Sequence, residues 1–287
     1  MRYLPAASLA LTLLLAACGG RAPGSGEPDK PTVTVSIEPQ RWLMERLVGD
    51  RMQVNALLAQ GGNPESYEPA FSHLSALERS LGYFCVGGLG FEEAILEKVR
   101  ANNPDLPIYV TSDSLSLIVS ESGAHGHGVD PHVWSSAKNA RVMAETMLHG
   151  LSELDPQNTE YYTANFIALA EHIDSVDNAI EEMLTPGEAF MVWHPSLSYF
   201  ARDYELTQIA LGADHKEFSV ADTRALIDRS QSLGAEVFLV QREFDSSQAE
   251  VLTEGRGDDV RVVTINPLSY DWDEELLHTA RAIAGED

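Results

Sequence analysis

The sequence predicts an α/β protein of two similar lobes joined by one long helix. Three observations carry that prediction. Apolar, β-branched runs alternate with helical patterns, as in parallel sheets with covering helices. The alternation occurs twice, once before residue 155 and once after residue 185. Between the two sets runs a single uninterrupted helical period.

The first residues have a different character. Arg2 is followed by the apolar run LPAASLALTLLLAA and then Cys18, the pattern of a secretory signal with small residues ahead of the cleavage point. The run is short for a bilayer span, and GGRAPGSGEPDKP after it cannot continue a helix. LAAC at 15–18 resembles a bacterial lipobox, in which Cys18 carries lipid; a plain signal peptide with an incidental cysteine is the alternative. The expected organisation is a signal peptide over 1–17, Cys18 and a flexible tether over 18–30, a lobe over 31–154, a linking helix over 155–185 and a second lobe over 186–287.

In the first lobe, TVTVSI (32–37), QVNALL (53–58), YFCVG (83–87) and PIYVT (107–111) read as strands, with helices over 41–49 and 91–101. Cys85 lies in an apolar run and reads as a small buried hydrophobe; with Cys18 lipidated it has no disulfide partner. From Asn158 to Leu184, apolar residues fall at Tyr162, Phe166, Leu169, Ile173, Val176, Ile180 and Met183, with Pro156 and Pro186 as boundaries. That spacing predicts one amphipathic helix of roughly 35–40 Å at 1.5 Å per residue, a stiff connector. In the second lobe, AFMVW (189–193), a weaker ELTQIAL (205–211), EVFLVQ (236–241) and RVVTI with Asn266 closing it (261–266) read as strands. A 44% hydrophobic content is enough for two cores.

The 44 acidic residues against 19 basic give a net charge of -25, the wrong sign for a nucleic-acid partner. Acidity suits cation attraction, though most such carboxylates simply solvate a surface.

Ligands of parallel α/β sheets bind beyond the carboxyl ends of the strands. Glu65, Glu68 and His73 follow the second run, His132 the fourth, His194 the fifth, Glu243 and Asp245 the seventh, and Asn266 the eighth. Glu65, His132, His194 and one further carboxylate would then converge on the cleft between lobes, a set of nitrogen and oxygen ligands suited to a divalent metal. No HExxH helix occurs, which opposes a zinc hydrolase with an open water position.

The segments GGNPESYEP, DPHVW, HPSLSYFARDYEL, VQREF and NPLSYDW, in order over about residues 31–285, resemble the landmarks of the metal-binding solute receptors of bacterial ABC transporters, the zinc and manganese uptake family. The resemblance implies two lobes, each a four-stranded parallel sheet flanked by helices, bridged by one long rigid helix. It also implies a Zn²⁺ ion, or alternatively Mn²⁺ or Fe²⁺, held between the lobes and passed to an ABC permease. By the same resemblance, His132 and His194 match ligand histidines. Glu65 stands where the family motif carries a histidine, either as a ligand or as a helix cap, and an oxygen there makes the site harder and friendlier to Mn²⁺. Asn266, a poorer ligand, stands where some relatives ligate through Asp, so the fourth ligand is open among Glu243, Asp271, Asn266, water and none. His125 and His127 in AHGHG resemble a trimmed His-rich loop, either a weak auxiliary capture site or without role. His73, His149, His172, His215 and His278 read as structural or surface residues.

The expectation is a monomeric receptor without turnover, exported and anchored through Cys18 on the periplasmic or outer face of a bacterial membrane. A receptor for chelated iron or a corrinoid is disfavoured by the matched histidines. A surface adhesin is not separated from uptake by any sequence feature.

Overall fold

A computed structural model describes residues 30–58, 61–64, 66–119, 128–212, 220–242 and 260–286. Residues 1–17, expected to be a signal peptide, and Cys18, together with Glu65, His125, His127, His215, Glu243 and Asp245, lie outside the described residues.

The first lobe runs β1 (Thr32–Val35), α1 (Glu38–Val48), β2 (Gln53–Ala56), α2 (Phe71–Glu78), β3 (Tyr83–Cys85), α3 (Gly90–Asn102) and β4 (Ile108–Val110). A 3₁₀ turn (Val133–Ser135) and α4 (Ala137–Leu154) lead to α5 (Thr159–Met183). The second lobe contains β5 (Ala189–Val192), α6 (Ser198–Asp203), β6 (Thr207–Ala210), α7 (Val220–Ser232), β7 (Val237–Gln241), β8 (Arg261–Ile265) and α8 (Trp272–Ala284).

Both sheets are four-stranded and parallel, and they repeat one topology: β2-β1-β3-β4 and β6-β5-β7-β8. The strand order reverses between β1 and β3 and again between β5 and β7, and such switch points open crevices at carboxyl ends. Most sequence-predicted strands run one or two residues past the ends of the observed strands, where bonds such as Leu58 N to Ser36 O and Ser112 N to Val86 O still join neighbouring strands. The sixth also begins late, since Glu205 has φ 54° and belongs to the turn after α6.

Helix α5 spans 25 residues, with Tyr162, Leu169, Ile173, Val176 and Ile180 buried, matching the predicted stripe. Phe166 and Met183, at its margins, are half-buried against the same core. The helix packs on α4, α1 and α8, so it touches helices of both lobes. Among the described residues, no helix is long and apolar enough to cross a membrane.

The core is not divided one per lobe. A single apolar cluster runs from Val33, Trp42 and Phe84 through Trp134 and Ile173 to Phe200, Leu239, Trp272 and Ile283. A smaller cluster covers the other face of the second sheet, and strand alternation decides membership. Phe190 and Val192 of β5 face the large cluster, whereas Ala189 and Met191 face the small one; Leu239 and Phe238 divide the same way on β7. Tryptophans tie the lobes together: Trp134 Nε1 donates to Pro267 O at 2.8 Å, Trp272 Nε1 donates to Trp134 O at 2.7 Å, and the Trp42 and Trp272 rings lie 5.1 Å apart. Cys85 is fully buried, and burial pushes its thiol well above the ordinary range, which leaves it unreactive.

Candidate metal centre

His132 enters the site on a turn that its own neighbours build. The residue between it and Asp130 is proline, which fixes one backbone angle, and Asp130 then folds back on the chain as Asp does in tight turns. Asp130 Oδ1 accepts from the His132 backbone N at 2.9 Å and from the His132 Nδ1–H at 2.8 Å. The Ser135 hydroxyl donates to His132 O at 2.8 Å and closes the following 3₁₀ turn. Burial by itself would raise the Asp130 carboxyl, but its hydrogen bonds and charge contact with His132, with a further bond from Ser198, hold it down at about 2. An ionised Asp130 therefore keeps the proton on Nδ1, and His132 Nε2 carries the lone pair that a metal requires.

His194 comes from the other lobe, two residues past the end of β5. Its backbone is held by a carboxamide from the adjacent strand. Gln241, the last residue of β7 and fully buried, accepts from His194 N at 3.3 Å. Its Nε2 donates to His194 O at 2.5 Å and to Ser196 Oγ at 2.9 Å. Both ends of one amide are thus used to fix one loop at the β5/β7 switch point.

The two rings meet across the lobes. Their centroids are 4.9 Å apart at 70°, their Nε2 atoms are 3.2 Å apart, and each residue is only 5% exposed. Two imidazole nitrogens on one tetrahedral zinc, each at 2.0–2.1 Å, lie about 3.3 Å apart, and neighbouring positions of an octahedral ion lie about 3 Å apart. The pair already has the spacing of two ligands on one small cation.

Among the described residues, no group of three or more His, Cys, Asp or Glu side chains is placed to hold a metal. Asp271 forms the N-terminal boundary of α8, and the Asn266 backbone N donates to Glu275 Oε1 at 2.6 Å just past β8. The remaining described histidines have other partners. His73 stacks on Tyr67 and shares a 2.5 Å hydrogen bond with its hydroxyl. His149 is exposed beside Glu153, His172 pairs with Asp273 at 2.7 Å, and His278 lies 3.1 Å from Thr264 O. Asp130 and Gln241 support the two histidines and are not among the residues expected from the sequence. Asp130 was visible in the DPH triplet, whereas the Gln241 contact spans 47 residues and has no local signal.

Two parallel-stranded lobes fused along a long helix, with one buried imidazole from each meeting between them, define a solute-binding receptor of the helix-bridged class. The family model "Zinc-uptake complex component A periplasmic" matches residues 33–283, and the chain belongs to that family. It is similar to the manganese-binding lipoprotein MntA of Halalkalibacterium halodurans, at 24% identity over 88% of this chain and 85% of that one. It is also similar to the high-affinity zinc uptake system protein ZnuA of Paracoccus denitrificans, at 26% identity over 85% of this chain and 86% of that one. A crystal structure of a ZnuA superposes with a TM-score of 0.82 at 31% identity, covering 90% of this chain and 99% of the other.

Proposed function

We propose that this protein is the extracytoplasmic receptor of an ABC metal-uptake system, capturing one Zn²⁺ between its lobes and delivering it to a membrane permease. The observation that carries this reading is the 3.2 Å approach of His132 and His194 Nε2, with His132 oriented by an ionised carboxylate. Glu65 and Glu243 complete the first coordination sphere in this proposal, with Asp271 or water as the alternative to Glu243. Closed coordination by protein groups suits capture and carriage of an ion, and no catalytic step is assigned. Family membership and the ZnuA relatives support zinc as the cargo. Cys18 carries the lipid that anchors the exported, monomeric chain, and His125 and His127 add weak auxiliary zinc capture.

A second reading, Mn²⁺ as cargo, is favoured by one feature: Glu65 puts an oxygen where the family motif has a nitrogen, which shifts the site toward harder ions. The similarity to MntA supports the same reading.

The test is metal stoichiometry and competitive affinity of the purified protein for Zn²⁺ and Mn²⁺, beside His132→Ala, His194→Ala and Glu65→Ala. One tightly held ion per chain, lost in both histidine variants, is expected. Because nitrogen-containing sites favour zinc over manganese whatever the physiological cargo, the cargo is read from cellular metal content after deletion. A wild-type protein without stoichiometric metal overturns the receptor reading.

A further inference from the structure

His132 and His194 belong to different lobes, so their separation depends on whatever ties together the two segments that carry them. One tie, besides the bonds that Trp134 makes to Pro267 and Trp272, is made at α6, which begins four residues after His194. The Tyr199 hydroxyl donates to the backbone O of Asp130 at 2.6 Å and accepts from the backbone N of Ile118 at 3.1 Å. Asp130 N in turn donates to Ile118 O at 2.9 Å, so one phenol bridges two strands of chain already paired with each other. The neighbouring Ser198 side chain hydrogen-bonds the Asp130 carboxylate that orients His132. Tyr199 is fully buried, and the Arg202 guanidinium lies 5.0 Å from its ring centre while donating to Ser116 O at 2.8 Å. The short helix after one histidine therefore grips the turn that carries the other.

We propose that Tyr199 is a positioning residue of the metal centre: its hydroxyl sets the His132 turn against the His194 segment and thereby sets how long the ion is held. The inference rests on the metal-receptor reading above. Replacing the phenol by a benzyl ring removes the donor to the buried Asp130 carbonyl and the acceptor of the partly buried Ile118 N–H, and the turn then relaxes away from the second lobe. Two ligands chelate as one unit only while their spacing is preset, so the loss appears first in metal dissociation.

The experiment compares wild type, Tyr199→Phe and Tyr204→Phe for Zn²⁺ affinity, for the rate of Zn²⁺ transfer to a chelator, and for the absorption spectrum of the Co²⁺-loaded protein. Tyr204 is a suitable control: it is buried near the same helix, but its hydroxyl donates to Asp177 at 2.7 Å on α5, making no contact with the histidine segments. Tyr199→Phe is expected to weaken Zn²⁺ binding about 10-fold, in the range seen when groups behind metal ligands are removed. It should speed transfer by a similar factor and shift the Co²⁺ bands, while Tyr204→Phe lowers melting temperature with binding and spectrum unchanged. If Tyr199→Phe fails to fold, Ser198→Ala, which cuts the same tie at the carboxylate, is expected to accelerate transfer in its place. Wild-type affinity, transfer rate and spectrum in the variant that folds would overturn the inference while leaving the receptor reading intact. Equal losses in Tyr204→Phe would overturn it as well, by assigning the effect to general destabilisation. A wild-type chain that takes no metal would sink both.

Discussion

At the scale of single residues, Asp130 does two things that separate with pH. Its folded carboxyl is held at about 2 against an ordinary 3.8, so the ionised form is favoured in the native state. The sign follows: the stabilisation is present above about pH 4 and disappears as pH falls toward 2, and a shift of this size is worth about 2 kcal/mol. Asp130→Asn should therefore lower the stability of the metal-free protein by up to about 2 kcal/mol near pH 5, below histidine's ordinary pKa of about 6.5, with the gap to wild type closing by about pH 2. Urea unfolding of both proteins at several pH values measures it, and a constant gap would refute the assignment. The same variant removes the negative charge behind His132 and should weaken zinc binding about 10-fold or more at pH 7. The histidines themselves were legible in the sequence because His194 sits two residues past a strand and His132 lies in an Asp-Pro turn at the end of the loop after the fourth strand, each inside a matched motif. Their supports were less so. Gln241 holds His194 only because β5 and β7 are neighbours in the sheet, and adjacency of that kind is a property of topology rather than of nearby residues.

Elements divide in the same manner. α5 was legible because large apolar side chains recur every three or four residues for seven turns between two prolines. α4, of 18 residues, was not assigned from sequence, although Ser136 caps it by accepting from Asn139 N at 3.0 Å. Its buried face is Ala137, Ala140, Met143, Ala144, Met147, Gly150 and Leu151, and small residues give little apolar signal. Their smallness has a physical use. A Cβ added at Gly150 would lie 2.6 Å from Phe84 Cε1 and 3.0 Å from Tyr109 Cδ1, and those two rings are stacked on each other in the first sheet. Glycine in a helix interior ordinarily costs about 1 kcal/mol relative to alanine. Here overpacking of about 1–3 kcal/mol opposes that gain, because the nearer ring, Phe84, is fully buried and stacked on the partly buried Tyr109. Gly150→Ala should accordingly destabilise the protein by about 1 kcal/mol despite its better helix propensity. Denaturant midpoints decide the sign, and a stabilised variant would mean that α4 can lift from the sheet at little cost.

For the molecule as a whole, the sequence supplied the two sheets and the long connector but not the shared core, because periodicity reports which face is apolar and not what covers it. One apolar cluster crosses from the first lobe to the second, and three tryptophans lace the boundary with two indole hydrogen bonds and one ring contact. α5 packs on helices of both lobes along its length. A hinge motion that opened the cleft would have to expose part of this core, and apolar area costs about 25 cal/mol per Å² to uncover, so even 200 Å² costs about 5 kcal/mol. An ion held by side chains on loops can be captured without that expense if those loops move and the lobes do not. Metal binding should then change the radius of gyration by less than about 0.5 Å, while hydrogen exchange slows in the segments around His132 and His194. Small-angle scattering with and without zinc tests the first part and exchange mass spectrometry the second. Compaction of several ångströms on binding would show that the shared core is a closed-state feature and that the lobes separate to release the ion. Unchanged scattering with protection confined to the two histidine segments would place capture and release in the loops, where the permease must then act.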